Sequence, residues 1–329
     1  MDQKTIIAAA MEDDCLVFAA AKVRWSEAES FYKITQLNLE KSDRPIENIN
    51  WENPIEDDQG DYDNEELFGR IRAYAGKHDT VDAIAISLYG TVNPADQTVV
   101  NFPNQGKKQG QRLSYNLPEL IRLDKKFQDT LVLVDNDASA AAMGEFIMGV
   151  GGGSKAFAYV WAGIGVNVGL IFDGALWEGR MHPEIGHYLP RRHEKDSYIT
   201  GSCITHKDCL MGLCSYRSIR ERRSLGMDEN TLREVIGYYY AQLCRTISVT
   251  VAPDRIAMGG HLIRSDGIPS LVDEVSRQFH SMMGPYPSYT SDAEAMSFIR
   301  TAQMCEDVSV IGMIETARRE LDRTKMERK

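Results

Sequence analysis

Between His182 and Cys214 the chain reads HPEIGHYLPRRHEKDSYITGSCITHKDCLMGLC, and no other segment restricts the fold as much. Cys203, His206 and Cys209 recur at intervals of three, and His187 lies sixteen residues upstream of Cys203. Tetrahedral zinc takes thiolate sulfur and neutral imidazole nitrogen, and four such ligands close a structural site. A Cys-x-x-His-x-x-Cys run can wrap one ion, and an ion there pins His187 from a distance. Glu184, three residues before His187, is then fixed as well, so a metal with no part in any reaction can still shape a pocket. The alternative is three unrelated polar residues in a surface loop.

Composition excludes several classes. At 329 residues, 43% hydrophobic and 26% charged, the chain is long enough for two domains with sizeable cores. A formal net charge of −11, with no basic arm or finger motif, gives no electrostatic footprint for nucleic acid. The longest apolar runs fall short of the roughly 20 residues that span a bilayer, so no membrane association is expected. The start, MDQKTIIAAAMEDDCL, is a poor signal peptide. Six cysteines with two in the metal motif fit a reducing cytoplasm better than a disulfide framework. Cys15, Cys214, Cys244 and Cys305 are then buried thiols.

Along the chain, TIIAAAM, CLVFAAAKV and SFYKITQLNL read as strands, and residues 41–64 as a long polar loop or insertion. EELFGRIRAYAGKH has helical spacing and AIAISLYG is a buried strand. LPELIRLDKKF reads as a helix, TLVLVDND as a buried strand and ASAAAMGEFIMG as an Ala-rich helix directly after it. KAFAYVWAGIGVNVGLIFDGALWEG reads as strands, with Asp173-Gly174 forming a tight hairpin turn. From Arg217 the chain is helical, DRIAMGGH is a strand entering a glycine turn, and VSVIGMIETARREL is a closing helix. Strands followed by helices, twice over, predict an α/β protein of two related lobes.

Three patterns carry chemistry. Asp135-Asn136-Asp137 stands where a buried strand gives way to a helix, the place where open α/β sheets bind ligands. A carboxylate there can take a hydroxyl proton as general base; helix capping by Asn or Asp explains the same residues equally well. Gly163, Gly165 and Gly169, in GIGVNVG, suit backbone approach to phosphate or simply a bulge. Met258-Gly259-Gly260-His261 is a second nucleotide-type turn, on a pattern that many strands end with.

Taken in order over most of residues 82–320, these pieces resemble the ROK family of sugar kinases, in its bacterial fructokinase-like branch. AISLYGTVNP is similar to the family's strand and turn, and FPN followed by YNLPELIRL to its Thr-Pro-Asn segment and helix. VDNDASAAAMGE resembles the Glu-Asn-Asp-Ala-Asn-Ala-Ala signature, HPEIGH the Glu-x-Gly-His motif, and GSCITHKDC the Cys-x-x-His-x-x-Cys loop. IAMGGH stands at the Gly-Gly-Gly turn that contacts nucleotide, and VSVIGMIETA at the terminal helix. The resemblance implies a two-lobed α/β actin-like ATPase (ribonuclease H-like) fold with a structural zinc loop. One lobe would take residues 1–134, with the helix in 306–329 packing back on it, and the other residues 135–305, with the zinc loop at 187–209. It implies an ATP-dependent kinase that transfers the γ-phosphoryl group to a sugar hydroxyl, in a cytoplasmic homodimer. Asp137 would be the general base, and Asn136, Glu184 and His187 would bind sugar. Gly163, Gly165, Gly259 and Gly260 would contact nucleotide. His187, Cys203, His206 and Cys209 would hold Zn2+, and Mg2+ and ATP would serve the reaction.

The departures lie on the phosphate side. The family's first hairpin carries Asp-or-Glu-x-Gly-Gly-Thr-Lys, whereas this one reads AAAMEDDCLVF, with Glu12, Asp13 and Asp14 at the turn. Carboxylates repel phosphate. In GIGVNVG, Ile164 replaces a hydroxyl residue and Asn167 a glycine; Leu210-Met211 stands for Leu-Glu after the last zinc Cys, and Ser139 for the signature's second Asn. Two readings follow: an active sugar kinase with poor ATP affinity, or a non-catalytic relative that binds a sugar or a protein partner. A repressor of the same family would need a DNA-binding domain ahead of the first strand.

Overall fold

In a computed structural model the described residues are 2–12, 15–41, 64–101, 113–196, 199–203, 205–264, 267–284, 286, 289, 297–304 and 307–328. Most of the polar stretch 41–64, the turn residues Asp13 and Asp14, the side chains of Glu12 and Cys15, the Phe102-Pro103-Asn104 segment and Cys305 lie outside them. The chain divides into two compact units: Met1–Gly144, Glu178–His182 and Glu306–Lys329 in one, Glu145–Trp177 and Pro183–Cys305 in the other.

The first unit opens with a meander of three antiparallel strands, β1 (Gln3–Glu12), β2 (Cys15–Ser26) and β3 (Phe31–Lys41). Helix α1 (Asn64–Gly76) leads to β4 (Ala83–Leu88). A small sheet of β5 (Thr91–Val92), β6 (Thr98–Asn101) and β7 (Leu113–Asn116) leads to α2 (Leu117–Arg122). Then come β8 (Leu131–Asn136) and α3 (Asp137–Met148). The main sheet has the order β3-β2-β1-β4-β8, with β4 and β8 parallel to β1 and β4 respectively. Because side chains alternate faces along a strand, Ile7, Ala9 and Met11 of β1 face one apolar cluster that also takes in Phe68, Ile71 and Tyr74 of α1. The C-terminal helix, Val308–Glu327, packs against β1, β4 and β2. Its Asp322 Oδ1 accepts from the Tyr32 N–H at 2.6 Å, which ties the start of the edge strand to the helix.

This division assigns most of α3 to the first unit, where the sequence reading begins the second lobe at residue 135. Contacts between backbones explain it. A Cβ on Gly144 would lie 2.0 Å from the Val308 carbonyl oxygen, and one on Gly312 would lie 1.9 Å from that of Ala140. The LPELIRLDKKF helix is also shorter than expected. It stops at Arg122 because Asp124 starts a separate 3₁₀ turn and accepts from the Lys126 N–H at 2.9 Å.

The second unit repeats the pattern. Strands β9 (Ala156–Ala162), β10 (Val166–Phe172) and β11 (Ala175–Leu176) form the antiparallel half. The β10–β11 hairpin turns on Asp173 and Gly174, at φ 48° and 80°, as the Asp-Gly pair predicts. Helices α4 (Leu210–Cys214), α5 (Tyr216–Ser224) and α6 (Glu229–Thr250) precede β12 (Arg255–Gly259). Helix α7 (Leu271–Met283) and β13 (Ile299–Thr301) complete a sheet of order β11-β10-β9-β12-β13. Again an antiparallel meander is extended by parallel strands. Cys214 and Cys244 are fully buried in its core, as thiols. No helix among the described residues is long and apolar enough to cross a membrane.

Candidate active site and metal centre

In the first unit, β8 ends and α3 begins inside Asp135-Asn136-Asp137, all three at most 6% exposed. Asn136 does the capping: its Oδ1 accepts from the Ser139 N–H at 2.8 Å. Asp137, the first helical residue, accepts from the Ala138 N–H at 2.8 Å through Oδ1. The two explanations that the sequence left level for this pair therefore divide between neighbours, with Asn136 as the cap and Asp137 as the carboxylate at the strand end.

Sequence reasoning missed His182 and the contacts that it makes behind them. Asp135 Oδ1 takes the Asn136 N–H at 2.7 Å and lies 3.4 Å from His182 Nε2. His182 Nδ1 lies 3.5 Å from Ser139 Oγ, and both side chains are buried. Burial pushes the Asp135 carboxyl up to about 7, against the pull of the Asn136 N–H.

In the second unit, His187 sits at the end of a 3₁₀ turn, Ile185–His187, with Glu184 at its N-terminal boundary. Gly186 has to be glycine, because a Cβ there would lie 1.9 Å from the Val166 carbonyl oxygen. The turn is thus docked on the first residue of β10. His187 Nδ1 lies 3.7 Å from Cys203 Sγ, 3.6 Å from Cys209 Sγ and 3.3 Å from His206 Nδ1. Cys203 Sγ and His206 Nδ1 are 4.0 Å apart, and all four donor atoms fall within 4.8 Å of one another. Bonds of about 2.3 Å to sulfur and about 2.0–2.1 Å to nitrogen space tetrahedral ligands by about 3.6 Å for a sulfur–nitrogen pair and about 3.3 Å for two nitrogens. The cluster fits zinc in donor type, number and spacing. Burial lowers the His187 pKa, which favours the neutral ligand form, and its Nε2 lies 3.9 Å from Glu184 Oε2. A carboxylate behind a metal-bound imidazole is the usual orienting partner. Burial also pushes the Cys209 thiol up to about 12, so a cation at the centre is what would let it ionise.

The loop is held from outside as well. Gly201 and Gly212 let the Lys207 carbonyl approach to within 2.0 and 1.8 Å of where a Cβ would stand. Arg222, fully buried, donates to both oxygens of Asp196 at 2.9 and 2.7 Å and to the Leu213 carbonyl at 2.7 Å.

The four candidate nucleotide-binding glycines fall on two adjoining turns. Gly163 and Gly165 close the β9–β10 hairpin, the Gly163 N–H donating to the Gly165 carbonyl at 3.0 Å. Gly259 ends β12, which runs parallel beside β9, and Gly260 turns the chain at φ 98°. The Tyr216 N–H donates to the Gly163 carbonyl at 3.1 Å, and Met211 of α4 packs on Gly165. The metal loop, the Glu184–His187 turn and the glycine hairpin therefore form one packed group in this unit.

The chain is similar to several known proteins. A fructokinase of Zymomonas mobilis is 33% identical over 161 residues, 47% of this chain and 52% of that one, so the chain spans about half the length of that relative. A ROK hexokinase from Thermus thermophilus superposes with a TM-score of 0.64 at 15% identity, over 96% of this chain and 99% of that one. A ROK family glucokinase from Streptomyces griseus, in complex with glucose and AMPPNP, gives 0.60 at 17% identity over 96% and 99%. At such identities the likeness is one of fold, the two-lobed actin-like ATPase fold with its paired sheets. The ROK family model matches residues 67–320, and the chain belongs to the ROK family.

Proposed function

We propose that the protein is an ATP-dependent kinase of a hexose or hexose-like sugar. The observation that carries this reading is Asp137, a buried carboxylate at the carboxyl end of β8 whose capping duty has passed to Asn136. In this reading Asp137 takes the proton of a sugar hydroxyl, which then attacks the γ-phosphoryl group. Asn136 has its Oδ1 committed to the helix, so its Nδ2 is the end that donates to the sugar. Glu184 and His187 contact sugar hydroxyls, and the glycine turns at 163–165 and 259–260 offer N–H groups to phosphate. Zinc is held by His187, Cys203, His206 and Cys209 as a structural ion that fixes the Glu184 turn. ATP would bring Mg2+ to offset charge on the transferring group.

The assay is ADP release with Mg-ATP over a hexose panel that includes fructose and glucose. Turnover on at least one sugar, falling by about two to four orders of magnitude in Asp137→Asn with folding intact, is the expected result. Turnover that survives the substitution would remove Asp137 from the chemistry. A second reading, a non-catalytic relative, is favoured by the AAAMEDDCLVF hairpin, which lacks the family's Gly, Thr and Lys. Calorimetry that finds sugar binding but no Mg-ATP binding would establish it.

A further inference from the structure

His182 belongs to no role assigned above, yet it bridges the corner that presents Asp137. Its Nε2 faces Asp135 Oδ1 at 3.4 Å, one residue before Asn136, and its Nδ1 faces Ser139 Oγ at 3.5 Å, two residues after Asp137. Asp135 and Ser139 are themselves joined to the corner through the Asn136 N–H and the Asn136 side chain, at 2.7 and 2.8 Å. All four residues are at most 4% exposed. The strand–helix junction is thus closed into a ring, and Asp137 is carried on the part of the ring between the two points that His182 touches. Glu178–His182 is also the one stretch between residues 145 and 305 that groups with the first unit. The chain leaves the second unit after Trp177 and returns to it at Pro183, one residue before Glu184, and His182 is the last residue of that visit.

Burying an imidazole between a carboxylate and a hydroxyl costs desolvation that an apolar side chain of similar volume would not incur. What the imidazole adds is direction, because its two nitrogens sit at fixed angles and restrain two partners at once. We propose that His182 is a positioning residue that clamps Asp135 and Ser139 and so sets the orientation of the Asp137 carboxylate. This rests on the kinase reading for its kinetic consequence but not for its structural one.

The test compares His182→Ala, His182→Leu and His182→Gln in the full chain. Misplacing a reacting group by about 1 Å can cost about 100-fold. His182→Ala is therefore expected to lower kcat by about 10- to 100-fold while KM for sugar and for ATP stays within about threefold. His182→Gln, which keeps one polar contact, should recover much of that loss, and His182→Leu, which keeps the volume alone, should not. Amide hydrogen exchange at Asn136, Ala138 and Ser139 should quicken at least about tenfold in the Ala and Leu variants, and less in Gln. Leu behaving as well as Gln, or exchange at these amides left at the wild-type rate, would overturn the clamp. If the wild type phosphorylates no sugar, the kinase reading fails by itself, and the exchange comparison still decides the role of His182.

Discussion

Gly186→Ala is the sharpest test of how the metal loop and the Glu184 turn depend on each other. A Cβ at this position would stand 1.9 Å from the Val166 carbonyl oxygen and 2.8 Å from its carbon. Carbon and carbonyl oxygen tolerate an approach to about 3.3 Å, so the 185–187 turn must retreat by about 1.4 Å. The turn has little slack, because the His187 N–H is bonded to the Glu184 carbonyl and the Tyr188 carbonyl receives the Leu210 N–H at 2.9 Å. Val166 is equally fixed, since it begins β10 and pairs with Ala162 of β9. Glu184 and His187 therefore move with the turn. Metal–ligand distances hold within about 0.2 Å, and a shift several times larger should weaken zinc binding by at least 10- to 100-fold, the loss usual for disturbing even an orienting partner. The overpacking itself should cost about 1–3 kcal/mol. Chelator competition against a colorimetric zinc indicator measures the first effect and chemical denaturation the second. Gly69→Ala is the control, as its Cβ would meet nothing within 4 Å. If Gly186→Ala retains wild-type zinc affinity and stability, the turn is not seated on β10 as argued.

Other perturbations have equally definite outcomes. Purified protein should contain one zinc per chain, and Cys203→Ser should lose the ion and lower the thermal midpoint; a metal-free wild type of unchanged stability would refute the site. Asp135 has a folded-state pKa raised to about 7 from the ordinary 3.8, so the folded state holds a proton that the unfolded chain has released. Stability from this group is full below about pH 4 and is lost as pH rises toward 7. Asp135→Asn should flatten that slope, at about 1.4 kcal/mol per pH unit, and an unchanged slope in urea titrations would contradict it. Gly312→Ala should destabilise the first unit by about 1–3 kcal/mol, because its Cβ would meet the Ala140 carbonyl oxygen at 1.9 Å; a neutral effect would mean that the C-terminal helix can shift cheaply.

What the sequence reveals follows from the range of the interactions. Strands such as β4 and β9 are nearly continuous apolar runs bounded by turn residues, and the Asp173-Gly174 turn needs only its own two residues. The candidate metal ligands are legible because three of the four repeat within seven residues. The β5–β7 sheet and β13 leave weak local patterns, whereas α7, with Leu271, Val275 and Phe279 buried at helical spacing, escaped notice despite a clear one. The His182 contacts escaped for a different reason. Its partners, Ser139 and Asp135, lie 43 and 47 positions upstream, and no local periodicity marks a pair so far apart. The same holds for Gly186, whose necessity comes from a carbonyl twenty residues earlier. Its place in the Glu-x-Gly-His motif shows that a glycine stands there, and only the packing shows why.

The stretch DNDASAAAMGE shows how chemistry and packing share one motif. Asn136 caps, Asp137 presents the carboxylate, and Asp135 and Ser139 are the points touched by His182. The residues after them serve the helix that carries them. Ala138, Ala140, Ala141 and Ala142 are fully buried, and two close approaches, Ala140 to Gly312 and Gly144 to Val308, bring the helix into backbone contact with the C-terminal helix. A larger side chain at any of these points would push the helix outward and take Asp137 with it. Glu145 closes the motif inside the second unit, fully buried and accepting from the N–H groups of Val150, Gln303 and Met304 at 2.9, 2.7 and 2.9 Å. Gly149 must leave room for that carboxylate, since its Cβ would lie 2.2 Å from Glu145 Oε1. One residue of the run is thus a candidate for proton transfer, and the others fix where it stands. This motif therefore need not follow the phosphate side: even a relative without ATP would keep the alanines, the glycines and Glu145 in order to fold.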